Sequence, residues 1–435
     1  MARFERLARG LVALVVVFGS ALGWALVGCS SSSSSPGVVG DGDAGVASPT
    51  EEAGPEEPPQ QAFEPLVDEK QIGDPSASYF SLEISPDMRF LLWQEVIGGS
   101  AGPVWIAGID PLTAELVPQD GRGFRIDGVS GSAAPQWGRD AKGLSLVTFS
   151  TTGKVLIVRP SSATEATTEE VDVPLDPSRA YPYATRISSR NGALVAYLKD
   201  DTQRRKQIYW LDTAASPVVE TALTSGPVNL FEGRPSFIVT VYRWLDESTR
   251  LFWGATTPAG SPSAKLQILS VDLSAPSAAP KFVTNDDSNH VDDFPTPLGG
   301  EALLVGGVDN LAKGAVYKPS ADGTFKKEVD IVPKSGFPKA KFAASFEAFT
   351  ADSRRLASFI VLDDGDKPGS FPAEVWLADL RAGQTGIISG SKRLNRLDPE
   401  FFLGTKEVFI LHYARDPDAP GSGYKIYRLR TGIPR

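Results

Sequence analysis

Ile84-Ser85-Pro86-Asp87-Met88-Arg89-Phe90-Leu91-Leu92-Trp93, followed by Val104-Trp105-Ile106 and closing at Asp110, decides the fold. A short strand runs into a turn built from Pro and Asp, a hydrophobic strand leaves it, and a third strand returns after a Gly-rich loop. The same order of strand, turn, strand, loop and strand recurs down the chain. A second copy holds Trp137-Gly138-Arg139-Asp140, Leu144 to Phe149 and Val155 to Val158. A third holds Ile187-Ser188-Ser189-Arg190, Leu194 to Leu198 and Ile208 to Asp212. The fourth has Trp244-Leu245-Asp246-Glu247, Leu251 to Trp253 and Leu266 to Asp272, and the fifth has Pro297-Leu298-Gly299-Gly300, Ala302 to Val305 and Ala315 to Tyr317. The sixth has Phe349-Thr350-Ala351-Asp352, Leu356 to Val361 and Val375 to Asp379, and the last has Phe402-Leu403-Gly404-Thr405, Val408 to Leu411 and Tyr424 to Leu429.

The turn markers fall at positions 87, 140, 190, 247, 300, 352 and 405, in steps of 53, 50, 57, 53, 52 and 53. A period this even is the mark of a repeat architecture. Each unit offers about four short strands bounded by Gly, Pro, Asn, Asp and Ser, and one such unit exposes two apolar faces. Units therefore have to stack around an axis, and closing the ring removes the free ends. The expectation is an all-β fold, a seven-bladed β-propeller of four-stranded antiparallel blades over residues 63–435. The last unit has only three strands before Arg435, and the segment Phe63 to Ile72 precedes the first blade unassigned. That segment is expected to supply the missing outer strand of the seventh blade.

At Ser85-Pro86-Asp87, with weaker echoes at Asp140 and Asp352, the units resemble the repeat of TolB-type propellers, a WD-repeat-like family of bacterial periplasmic proteins. The resemblance spans roughly residues 79–435. Most units depart from the full Ser-Pro-Asp-Gly turn, and Met88 stands where Gly is usual. What the resemblance implies is a periplasmic propeller that works through envelope partners.

The N-terminus reads Met1-Ala2-Arg3-Phe4-Glu5-Arg6-Leu7-Ala8-Arg9-Gly10 and continues into an apolar run from Leu11 to Val27. A basic start followed by an apolar stretch of this length is a secretory signal, assigned to residues 1–28. The run ends in Leu26-Val27-Gly28-Cys29, which resembles the lipobox of bacterial lipoproteins. The resemblance implies cleavage before Cys29, a diacylglycerol thioether on its sulfur, and acylation of its new amine by a fatty acid such as palmitate. Several buried chains anchor stably where one is marginal, since each buried CH₂ contributes about 0.8 kcal/mol. The competing readings are an uncleaved transmembrane anchor and an incidental thiol beside an ordinary cleavage site. Cys29 is the sole cysteine of the chain. A protein bound for an oxidising compartment has thus kept its one thiol where lipidation consumes it.

Six serines, Ser30 to Ser35, follow the cysteine. A Pro-, Gly- and acid-rich stretch then contains Asp41, Asp43, Glu51, Glu52, Glu56 and Glu57 and no Lys or Arg. Such a composition buries too little apolar surface to fold, so residues 29–62 are read as a disordered tether. Ser30 directly after the cysteine resembles the pattern that permits export to the outer membrane. The expected location is the cell envelope, the outer membrane ahead of the inner, facing the periplasm or the cell surface.

Composition narrows the chemistry. The formal charge of -10 and the want of a basic cluster exclude a nucleic-acid partner, whose affinity comes from clustered Lys and Arg. His290 and His412 are the two histidines, too few for a His- or Cys-rich metal centre. A Gly-x-Ser-x-Gly match at Gly98-Gly99-Ser100-Ala101-Gly102 lies between two strands, where a hydrolase elbow needs a strand and a helix; it is read as a hairpin loop. Asp363-Asp364-Gly365-Asp366, and Asn285-Asp286-Asp287 with Asp292-Asp293, offer the oxygen ligands calcium prefers but lack the spaced EF-hand pattern, and are read as solvated turn acids. The aromatic residues at 93, 105, 137, 210, 244, 252, 253 and 376 fall at strand period and read as packing between blades. No cofactor and no metal is expected.

One polar series remains. The position ahead of each innermost-strand marker holds Glu83, Gln136, Arg186, Arg243 and Thr296, then Ala348 and Phe401. If these face the axis, Glu83, Gln136, Arg186 and Arg243 line a channel of mixed charge, the alternative being a merely hydrated channel. The sequence thus reads as a non-catalytic scaffold held to a membrane lipid through Cys29 and presenting a propeller face to an envelope protein or glycan. The rival is an envelope enzyme, a carboxylate-based glycosidase or lyase on the same fold. The sialidase Asp-box, Ser-x-Asp-x-Gly-x-x-Trp, is not found.

Overall fold

The structure is a computed structural model. It describes residues 68–435 apart from 99, 130–134, 141, 175–179, 188–192, 201–205, 224–242, 245–249, 258–264, 274–280, 284–295, 299–301, 308–312, 321–324, 352–353, 364–371 and 381–382. Cys29 and the tether lie outside the described residues.

Strand β1 (Glu69–Ile72) precedes the first unit, which holds β2 (Tyr79–Ile84), β3 (Phe90–Ile97), β4 (Ser100–Ile109), β5 (Leu116–Val117) and β6 (Phe124–Ile126). The second unit is β7 (Gln136–Asp140), β8 (Gly143–Phe149), β9 (Val155–Pro160) and β10 (Ala166–Val171). The third is β11 (Ala180–Ile187), β12 (Ala193–Asp200), β13 (Lys206–Asp212) and β14 (Thr221–Ala222). The fourth is β15 (Arg243–Trp244), β16 (Arg250–Thr257), β17 (Lys265–Asp272) and β18 (Lys281–Phe282), and the fifth is β19 (Thr296–Leu298), β20 (Ala302–Gly307), β21 (Lys313–Pro319) and β22 (Phe325–Ile331). The sixth is β23 (Ala340–Ala351), β24 (Arg354–Asp363), β25 (Ala373–Asp379) and β26 (Gln384–Ile387), and the chain ends with β27 (Asn395–Leu403), β28 (Glu407–Arg415) and β29 (Lys425–Pro434). Among the described residues these strands form seven antiparallel sheets, six of four strands and one of five. The fold is an all-β propeller, as the repeat requires.

The extra strand is a departure from the four-stranded expectation. The outer strand of the first sheet is split into β5, opposite Gly108 and Ile109, and β6, opposite Val104 to Ile106. The intervening Pro118–Gly123 loop folds onto the sheet, where Trp93 Nε1 donates to the Gly121 carbonyl at 2.7 Å and the Tyr79 hydroxyl donates to that of Asp120 at 3.1 Å.

The turn that opens the repeat has a chemical basis. Ser85 is fully buried. Its hydroxyl donates to Asp87 at 2.7 Å and accepts the Phe90 and Arg89 amides at 2.9 and 3.2 Å, while its backbone closes the turn with Phe90 and Met88. Met88 has φ 59, the left-handed conformation in which Gly is at ease, which explains the Gly that the resembled repeat carries there. The Asp that ends the third strand also has a task. Asp110 accepts the Leu112 and Thr113 amides at 2.9 Å, and Asp212 accepts that of Ala214 at 2.9 Å, each starting the turn to the outer strand.

The core sits between sheets: where side chains are described, as on β3 and β25, both faces of a strand are buried. On β3, Leu91 and Trp93 pack with Phe402, Phe409 and Leu411 of the last sheet, while Phe90 and Leu92 pack with Trp137, Leu146 and Val158 of the second. On β25, Trp376 and Ala378 face Val316 and Ile331 of the fifth sheet, while Val375 and Leu377 face Ile410 and Leu429 of the last. The period of two in the strands thus divides the apolar residues between two seams.

The first strands form the inner edge: β2 touches β7, β7 touches β11, β11 touches β15, β19 touches β23, β23 touches β27, and β27 returns to β2. Closure is made by the N-terminal strand. In the last sheet the order is β1-β29-β28-β27, with Glu69 opposite Leu429 and Ile72 opposite Ile426. Residues 69–72 therefore supply the outer strand expected of the 63–72 segment, whose residues 63–67 lie outside the described ones.

Candidate functional site

The sequence-derived series lies on first strands: Glu83 on β2, Gln136 on β7, Arg186 on β11 and Arg243 on β15, opposite Leu92, Val147, Leu194 and Phe252 respectively. At the seam between the first and second sheets, Glu83 Oε1 accepts the Trp137 amide at 3.2 Å and the Trp137 indole donates to the Glu83 carbonyl at 3.1 Å. The preceding seam repeats the device. Glu400 Oε2 on β27 accepts the Ile84 amide of β2 at 3.1 Å. Carboxylates near the axis thus fasten one sheet to the next through backbone amides, a charge-assisted bond stronger than a neutral one.

Glu400 does not appear in the sequence series because its hairpin is longer: Glu400 and its partner Leu411 enclose residues 401–410 where Glu83 and Leu92 enclose only 84–91, so counting back from the turn selects Phe401 instead; β27 also carries a register shift between Leu397 and Glu400. The same kind of shift interrupts β2 between Phe80 and Glu83, β11 between Pro182 and Ala184, and β23 between Ala343 and Phe346. A bulge inserts a residue that spacing alone does not reveal.

Beside the bulge of β27 stands a second pair that no spacing announces. The Tyr413 hydroxyl donates to Asp398 Oδ2 at 2.8 Å, and both Asp398 (φ 45) and Ser81 (φ 56) on the adjoining first strand are left-handed. Non-glycine residues pay for that conformation in strain. Burial, with the neighbouring Asp398 charge, pushes the Tyr413 phenol well above its ordinary value. The hydroxyl therefore stays protonated, and it positions Asp398 as a donor.

A third cluster lies at the seam between the sixth and last sheets. Glu69, Arg396 and His412 are buried, with side-chain exposures of 8%, 2% and 0%. Arg396 grips the Glu69 carboxylate with Nε and Nη2, both at 2.8 Å, and the His412 Nε2 lies 3.0 Å from Oε1. The Gly390 amide donates to Oε2 at 3.0 Å. Burial alone raises the Glu69 carboxyl, but the hydrogen bonds and charges of Arg396 and His412 outweigh it and hold it at about 2. Burial pushes His412 below its ordinary value against the pull of Glu69. At neutral pH the ring is uncharged, and Nε2 is the donor because an ionised carboxylate only accepts. No spacing rule announces this trio, whose members are brought together by ring closure.

The remaining sequence candidates take structural places. Gly98 has φ 60, and Ile97 pairs with Ser100, so the Gly-x-Ser-x-Gly match is a hairpin between β3 and β4. Trp93, Trp137 and Trp376 are buried between sheets. Asp363 ends β24 with Arg393 Nη2 3.6 Å from its carboxylate; Asp364 to Asp366, Asn285 to Asp293, His290 and Cys29 lie outside the described residues. Among the described residues no three His, Cys, Asp or Glu side chains converge to hold a metal ion.

No protein-family model matches the chain, and no curated protein resembles it in sequence. Several solved structures are similar in shape. The putative TolB from Agrobacterium tumefaciens is 15% identical over 59% of this chain and 79% of its own, with a TM-score of 0.37. The β-propeller domain of Cps50 (Swd1) from Myceliophteria thermophila is 13% identical over 82% of this chain and 98% of its own, at 0.49. The periplasmic gluconolactonase of Pseudomonas aeruginosa is 12% identical over 82% and 98%, at 0.45. Likeness at this level says nothing of what this chain binds or does.

Proposed function

We propose that the chain is a cell-envelope lipoprotein, anchored through acylated Cys29, whose propeller is a non-catalytic scaffold for an envelope protein or glycan. The observation that carries the reading is Leu26-Val27-Gly28-Cys29 at the end of an apolar run in a chain with a single cysteine. The tether of residues 29–62 gives the ring a reach of roughly 30 Å from the bilayer as a flexible coil. Ser30 favours the outer membrane. Engagement of three acids on the described first strands also supports a binding role: Glu83 and Glu400 accept amides of the next sheet, and Asp398 accepts from Tyr413. A glycosidase needs two carboxyl groups held free on either side of a scissile bond.

Crosslinking and affinity capture from intact envelopes test the proposal, comparing the acylated protein with a soluble form that begins at residue 63. A partner retained by the acylated protein and displaced by excess soluble ring is the expected outcome. Recovery of no specific protein or glycan by either form overturns the scaffold reading.

A further inference from the structure

The strand that closes the ring is short, and its first residue does more than pair. β1 offers four residues to the outer edge of β29, which is less backbone pairing than an added strand needs to hold by itself. Its two faces differ. Lys70 reaches outward to Glu115 at 2.6 Å in an exposed pair whose side chains keep 56% and 30% of their accessibility, of little energetic weight. Glu69 points into the seam instead, where its partner Arg396 spends its other donors on the carbonyls of Ala373 at 2.7 Å, Lys392 at 3.0 Å and Gly390 at 3.1 Å.

Ala373 begins β25 of the sixth sheet, and Gly390 and Lys392 belong to the connection that leaves it. The Glu69 carboxylate therefore joins the N-terminal strand to two sheets at once: by register to β29 within its own, and through Arg396 and the Gly390 amide to the one before. His412, stacked on Tyr427 with ring centroids 5.5 Å apart, closes the remaining side. Removal of either charge strands the other in a buried place, which costs far more than an exposed pair returns.

We propose that Glu69, with Arg396 as its buried counter-charge, is a latch that decides whether the ring is closed. Releasing it frees β1, uncovers the outer edge of β29 at Ile426–Leu429 and loosens the seam at Gly390, while the other sheets stay folded. The latch stands on the cluster alone and does not depend on the anchor, although it places ring closure in the first residues after the tether.

Hydrogen exchange on the full chain tests it, comparing the natural protein with E69Q, R396M and K70A. In E69Q and R396M the amides of β1, Ile426–Leu429 and Gly390 exchange on the order of a hundredfold faster, while β3 and β24 keep their protection; K70A changes these rates by no more than a few fold. If E69Q and R396M do not fold, the natural protein in sub-denaturing urea is decisive, with β1 opening ahead of β3 and β24. The latch is overturned if β1 in the variants stays within a few fold of the natural protein, if it accelerates only in step with β3 and β24, or if in urea it opens only with the whole ring.

Discussion

Ser85→Ala tests the turn from which the repeat was read. The hydroxyl is buried, holds Asp87 at 2.7 Å, and is the acceptor for the Phe90 amide at 2.9 Å and the Arg89 amide at 3.2 Å. Phe90 is itself 3% exposed, so water does not replace the lost acceptor. An unsatisfied buried amide costs about 1–3 kcal/mol, and the expected loss for Ser85→Ala is about 2 kcal/mol. In a fold of this size that is roughly 2–4 °C in Tm, with a lower denaturant midpoint at unchanged slope. Asp87→Ala removes only the partly exposed end of the network, and its expected cost is about 0.5 kcal/mol. Urea titrations followed by tryptophan fluorescence give both numbers. Equal effects from the two substitutions, or a Ser85→Ala midpoint indistinguishable from the natural protein, refute the view that the buried hydroxyl builds the turn.

Two glycines separate space from backbone strain: a Cβ at Gly123 meets the Ala163 carbonyl at 2.0 Å and that of Ile106 at 2.5 Å, whereas Gly128, with φ 72, has nothing within 4 Å. Denaturation should therefore show Gly123→Ala losing more than about 3 kcal/mol and Gly128→Ala about 1 kcal/mol. Stability should fall with acid, since the folded values of Glu69 and His412 are both depressed: the His412 contribution is lost as pH drops below about 6.5 and that of Glu69 between about 4.5 and 2. Denaturant midpoints at pH 7, 5 and 3 are expected to decline less steeply below pH 5 in Glu69→Gln than in the natural protein, and parallel curves contradict this. Glu83→Gln retains an acceptor for the Trp137 amide and is expected to cost about 1 kcal/mol or less, against about 2 kcal/mol for Glu83→Ala in the same titration.

The ring was legible because its information is local and repeated. Ser85-Pro86-Asp87 fixes a turn, the alternation from Phe90 to Trp93 fixes two buried faces, and seven copies at even spacing leave a closed stack as the way to cover them. The missing strand of the last unit was also legible, by counting. Contacts that depend on irregular register were not. Glu400 opens a hairpin two residues longer than that of Glu83, Asp398 meets Tyr413 beside a bulge, and Glu69 meets Arg396 and His412 only once distant parts of the chain come together. The split outer strand of the first sheet escaped for a related reason, since the loop after Val117 is held by the side chains of Trp93 and Tyr79, far back in the sequence.

The proposed anchor rests on one sulfur, that of Cys29, and that sulfur is open to a direct measurement. Cells expressing the natural protein or Cys29→Ala are fed an alkyne fatty acid, the protein is isolated, and label and membrane association are read together. The natural protein is expected to carry label and to sediment with membranes, and the variant to carry none and to leave them. A Cys29→Ala protein that still takes up fatty acid and stays in the membrane fraction contradicts the anchor.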